Sequence, residues 1–199
     1  AQGAKAEQAG VDGVVVEGFE AGGHLAHEEL TTMVLVPQVV DRVACPVLAA
    51  GGIATGCQMA AALALGAAGV QIGTRFALTE ESAAHPAYKQ MCIQAGYDST
   101  RAVFKKNVPM RMLHNAFRDR ISEAEARGAS AEQMLALLGE GRPRRGMFEG
   151  DLDEGVLEIG QVTGMIHDLP PAAEVIHSLV AGYNHARAQL PALDKCPPP

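Results

Sequence analysis

PVLAAGGIATGCQMAAALALGAAGVQIGTRF, residues Pro46 to Phe76, decides the fold. The apolar run from Cys45 that ends at Gly51 and Gly52 reads as a strand buried on both faces. Thr55 is placed to cap an Ala/Leu helix, and Gly66 to stop it. Ala68 to Phe76 then gives a further strand. Upstream, DGVVVEG (Asp12 to Gly18) is another β-branched run ending in glycine. LVPQVVDRV (Leu35 to Val43) has helical apolar spacing, with Pro37 expected in its first turn. Strands alternating with helices at these intervals predict βαβ units and a parallel sheet.

After Phe76 the rhythm changes. Helices are predicted over Glu81–Gly96, Phe117–Gly128 and Ser130–Gly141, the last with Ser130 and Gln133 as a capping box. Arg101 to Leu113 is a short strand or an extended link, and Gly141 to Gly160 a charged, glycine-rich loop. Pro170 to Leu190 closes the pattern as an amphipathic helix. Three parallel strands do not close a barrel, and a (β/α)8 barrel takes about 250 residues. The chain is therefore expected to hold the last three βα units of a TIM (β/α)8 barrel plus an appended helical domain. The N-terminal strands of the barrel would lie outside this chain, whose opening AQGAKAEQAG reads as the middle of a helix. A small open sheet is the other solution. The expected division is 1–80 for the barrel part, 81–160 for the helical domain, 161–190 for a closing loop and helix, and 191–199 for a disordered tail.

The composition excludes several functions. The formal charge is −7, with no long basic run, which argues against nucleic acid and anionic membranes. The longest apolar runs are broken by glycine and too short to cross a bilayer. Three Tyr, five Phe and no Trp make no aromatic platform. The four cysteines are dispersed and form no C-x-x-C pair, so reduced thiols in a cytoplasmic protein are expected.

Ligands of parallel α/β proteins bind at the C-terminal ends of the strands. Two glycine turns there, in the pattern GGIATG-x12-GVQIGT, bring Gly51 and Gly52 beside Gly73 and Thr74. Backbone amides and a helix N-terminus then favour a bound phosphate. His24, after Gly22 and Gly23, is the reactive candidate, because a neutral imidazole suits proton transfer near neutral pH. His27 completes H-x-x-H without a third ligand, so no metal is expected. Asp151 to Gly155 departs from a calcium loop at its glycine, and Arg142, Arg144 and Arg145 read as a solvated cluster. Gln161 is a further residue that returns toward the site.

EGFEAGGH, LTTMVLVPQVVD, PVLAAGGIATG, GAAGVQIGTRFALTEES and RRGMFEGDLDEGVLEIGQVTGMI together resemble the FMN-dependent nitronate monooxygenases, formerly 2-nitropropane dioxygenases. They resemble equally the flavin-type enoyl-acyl-carrier-protein reductases. The resemblance implies a TIM barrel with an added helical domain. It implies flavin contacts at Glu17 and Gly22, and FMN phosphate loops at Gly51, Gly52, Gln71, Ile72, Gly73 and Thr74. It makes His24 the active-site histidine. Many family monooxygenases have Gln where this chain has Glu17, a form more typical of the reductase-like branch.

The activity so implied is oxidation of alkyl nitronates with O2 to a carbonyl compound and nitrite. One alternative is an NAD(P)H-dependent flavin reductase acting on an enoyl thioester or quinone. Another is a phosphate-binding barrel similar to inosine-monophosphate dehydrogenase, for which neither Cys45 nor Cys57 is a well-placed nucleophile. A non-enzymatic piece that only pairs with another is the remaining option. Expected partners are a small-molecule substrate and O2, with a homodimer as the candidate assembly.

Overall fold

The structure, a computed structural model, describes residues 2–190; the tail expected at 191–199 lies outside them. A leading helix α1 (Gln2–Gln8) precedes β1 (Val14–Glu17), whose valines alternate between buried and exposed. After β2 (Gly23–His24) come α2 (Thr32–Val40), β3 (Val47–Ala50), α3 (Gly56–Ala64) and β4 (Gly69–Gln71). Strands β1, β3 and β4 form a parallel sheet in that order, with Val16 opposite Ala49 and Ala50 opposite Gln71. Val14, Val16, Val36, Val47, Ala49 and Ala62 fill the layer between this sheet and its helices. The architecture is mixed α/β, and these three strands do not close into a barrel.

Helix α3 follows its sequence signals. Thr55 Oγ1 accepts the Gln58 amide, while Gln58 Oε1 accepts from the Ala54 and Thr55 amides at 2.8 and 3.0 Å. Gly66, at φ +96°, ends the helix: its N–H reaches Leu63 O and that of Ala67 reaches Ala62 O. Thr55→Ala is expected to cost about 1 kcal/mol. Urea denaturation checks this, as a lower midpoint with an unchanged slope.

Two boundaries differ from the sequence reading. Helix α2 begins at Thr32, so Pro37 stands inside it rather than in its first turn. The distant Glu20 carboxylate supplies the cap by accepting the Thr32 amide at 2.9 Å, which starts the helix earlier than the apolar pattern does. The strand expected to reach Phe76 stops at Gln71, and Thr74–Ala77 form a one-turn helix, α4. Arg75 is buried there because Asp168 Oδ1 and the carbonyls of Leu78 and Asp168 accept its protons, at 2.6 to 3.0 Å.

Residues 81–160 hold α5 (Pro86–Ile93), α6 (Ala116–Ala126), α7 (Ala131–Leu138) and α8 (Arg142–Met147). Between α5 and α6 the extended segment is a hairpin, β5 (Thr100–Val103) and β6 (Met110–Leu113). Strand β2 pairs antiparallel with β6, so the segment after β1 is stitched into this second sheet. A separate core of Val103, Phe104, Met112, Phe117, Ile121 and Met134 supports it. Arg142, read as solvated, instead lies 4.0 Å over the Phe117 ring and donates to Glu154 O at 2.6 Å. Arg144 and Arg145 pair with Glu149 and Asp151 at the surface. A 3-10 turn at Gln161–Met165 leads to α9 (Ala172–Gln189), which lies along α3.

Candidate active site

The parallel register sets the C-terminal ends of β1, β3 and β4 side by side, and a cavity of about 270 Å³ opens over them. Glu17, Gly22, Gly51, Gly52, Gln71, Gly73 and Thr74 all line it. Met147, Glu158, Ile159 and Val162 close it from the second half of the chain. Ile72 is not in this lining; it packs against the valine core beneath the sheet.

Each glycine has its own reason. Gly51 and Gly52 take φ of +95° and +70°, a turn that a side chain would strain. The turn is tied down by the Gly18 amide, which donates to Ala50 O at 2.9 Å, and by Thr32 Oγ1, which donates to Gly51 O at 2.8 Å. A Cβ on Gly22 would collide with the backbone of Ile159 and Gly160, so Gly22 lets that segment close over the strand ends. Gly73 is different. A Cβ there would meet nothing within 4 Å, so the space above it is open cavity. Thr74 Oγ1 accepts the Gly160 amide at 3.0 Å, which leaves the hydroxyl proton free for a ligand.

The α3 terminus is partly committed to its own cap. Its capping box takes up the Ala54, Thr55 and Gln58 amides. The glycine turns and the Thr74 hydroxyl offer further donors for an anion beside that helix end.

His24 lies on β2, opposite Met110, with an exposed side chain outside the cavity lining. Sequence reasoning missed Glu158, which lines the cavity half-buried between Leu157 and Ile159. Its Oε1 is buried without a hydrogen-bond partner among the described residues. Burial raises its pKa, and the nearby His24 opposes that rise. Burial also raises the pKa of Glu17 at the end of β1. Behind Glu158, the buried Tyr88 hydroxyl donates to its carbonyl at 2.6 Å. A lone acid in the apolar run VLEI was the signal available for Glu158. Gln161 lines an adjoining cavity of about 330 Å³ on the far side of the Gly51–Gly52 turn.

Glycine turns at parallel strand ends, open space at Gly73, a free hydroxyl proton and two carboxyls of raised pKa define a small-molecule enzyme site of the α/β class. A sequence profile described as nitronate monooxygenase matches residues 2–182, and the chain belongs to that family of oxidoreductases. It is 35% identical to a (3aS,4S,5R,7aS)-5-hydroxy-7a-methyl-1-oxo-octahydro-1H-indene-4-carboxyl-CoA dehydrogenase of Mycobacterium tuberculosis, over 86% of this chain and 59% of that protein. It is 42% identical to a Bacillus subtilis protein named "Probable nitronate monooxygenase", over 48% of this chain and 29% of that one. Among solved structures, FabK from Thermotoga maritima superposes with a TM-score of 0.88 at 39% identity, covering 94% of this chain and 59% of that one. A nitroalkane oxidase from Streptomyces ansochromogenes gives 0.78 at 32% identity, covering 94% and 56%. The chain thus spans less than two thirds of these relatives. Among the described residues, no helix is long and apolar enough to cross a membrane.

Proposed function

We propose that these residues form the last three βα units of a TIM barrel that binds FMN, in a protein that oxidises alkyl nitronates with O2 to a carbonyl compound and nitrite. The observation that carries the reading is the paired turns: Gly51 and Gly52 after β3, Gly73 and Thr74 after β4, around one cavity. Bound FMN would supply the electron-accepting centre. Thr74 donates its free hydroxyl proton to the phosphate, and the open space above Gly73 admits it. Glu17 offers acceptors to the hydroxyl and N–H groups of the cofactor. His24, one residue beyond Gly23, hydrogen-bonds the nitro oxygens of the substrate at the rim.

A second reading is an NAD(P)H-dependent flavin reductase, favoured by the closer likeness to FabK than to the nitroalkane oxidase. Anaerobic mixing of the flavin-loaded protein with propyl-2-nitronate or with NAD(P)H separates the two. Bleaching of the flavin absorbance by the nitronate alone is the expected result. Bleaching by nicotinamide alone moves the assignment to the reductase, and a protein that takes up no flavin overturns both.

A further inference from the structure

His24 sits on a strand of two residues, and its side chain is exposed, so its place is set by the backbone rather than by packing. That backbone runs through Gly22 and Gly23, the second at φ +73°, and glycine lends a chain little stiffness of its own. What holds the segment lies on β6. Gly23 stands opposite Arg111 in the ladder, and His24 opposite Met110. The Arg111 side chain then reaches back along the same segment. Its Nη2 donates to Phe19 O at 2.9 Å, and the guanidinium lies 4.8 Å from the centre of the Phe19 ring. One residue thus grips both ends of Phe19–Gly23.

Arg111 is 2% exposed and forms no ion pair among the described residues. The carboxylates nearby are engaged elsewhere, Glu20 on Thr32 and Glu29 on Lys105. Its Nε is buried without a partner, and Nη1 stands 3.4 Å from the Thr100 hydroxyl. An apolar side chain of similar volume would pack there without desolvating a charge, so stability does not explain an arginine. Its planar fork does, because it can face a carbonyl and stack on a ring at once. Resting on the reading of His24 as the reactive residue, we propose that Arg111 is a positioning residue. By tying Phe19 to β6 it fixes the path of Phe19–His24, and with it the place of the His24 imidazole at the cavity rim. No bond is made or broken at Arg111; it acts through His24.

The test compares the wild type with R111K, R111A and H24A. In the apo protein the His24 ring signal is followed by NMR, identified among the seven histidines by its loss in H24A. Amide exchange of peptides covering Phe19–Leu25 is measured alongside. R111A is expected to shift the His24 signal and to speed exchange in these peptides, while the six other ring signals and the peptides of β3 and α3 stay in place. A cavity of about 460 Å³ lined by Phe19, Thr100 and Arg111 gives access to the vacated position, so added guanidinium should return R111A toward wild type and sodium should not. R111K keeps the charge without the fork and is expected to show a smaller change of the same kind; it carries the test if R111A does not fold. In the flavin-loaded protein, anaerobic bleaching is timed with nitroethane and with its nitronate. On the donor that H24A slows, R111A is expected to lose about 100-fold, and the double variant to be no slower than H24A. An unchanged His24 signal and unchanged exchange in a folded Arg111 variant overturn the assignment. So do movement of all seven ring signals together, losses that multiply in the double variant, and an H24A that slows neither donor. If neither donor bleaches the wild type, the nitronate reading falls, while the ring signal and exchange still decide the role of Arg111.

Discussion

Gly73→Asp is expected to weaken FMN binding by about 100-fold, since a like charge set against the phosphate costs several kcal/mol. The fold should not suffer. Gly73 has φ −95°, an ordinary value for any residue, and a Cβ there meets nothing within 4 Å. It is also the N-cap of α4 and gives that helix no side-chain cap. An Asp carboxylate at the start of α4 also meets the helix dipole favourably, so the apo protein should melt at about the same temperature. Fluorescence titration with FMN and thermal denaturation of the apo protein measure the two quantities separately. Asn at the same position has nearly the same shape without the charge and should lose much less affinity. If the Asp variant binds FMN as tightly as the wild type, the phosphate does not lie at Gly73.

That separation of cradle from scaffold also marks what the sequence could and could not show. Strand and helix order across 12–71 was legible because β-branched runs, Thr55 and Gly66 each state their conformation locally. Gly51, Gly52, Gln71, Gly73 and Thr74 followed as lining residues, since they sit where those strands end. Cues that act across the chain were not legible. Glu20 starts α2 from 12 residues away, and Arg75 turns a strand-like run into helix by pairing with Asp168. The pairing of Gly23–His24 with Met110–Arg111 needs the hairpin, whose sequence reads equally as a link. Glu158 enters the cavity because Gly22 lets the Ile159–Gly160 backbone close against it, a contact between segments more than 130 residues apart. Gln58 shows the limit from the other side: the capping box that makes α3 so readable also takes up the Ala54 and Thr55 amides next to the glycine turn.

Gly56→Ala is the substitution expected to cost the most stability. A Cβ at Gly56 would fall inside the van der Waals envelope of Tyr183 N and Gly182 C, and 2.5 Å from Leu179 O. All three are backbone atoms of α9, so no side-chain rotation relieves the overlap. Helices α3 and α9 would have to separate, at a cost of about 3 kcal/mol. Gly182, on the other side of the same contact, is the internal control. Its Cβ would stand 3.2 Å from Gly56 Cα, tight but within reach of a small shift, and Gly182→Ala should cost about 1 kcal/mol. Urea denaturation of both variants gives the comparison as a difference in midpoints. Gly56 follows the Gly51–Gly52 turn through Ile53 to Thr55, so moving α3 also moves the turn. The Gly56 variant should therefore lose FMN affinity beyond what unfolding accounts for, while Gly182→Ala should not. Equal and small losses in the two would mean that α9 is not seated on α3 closely enough to hold the turn in place.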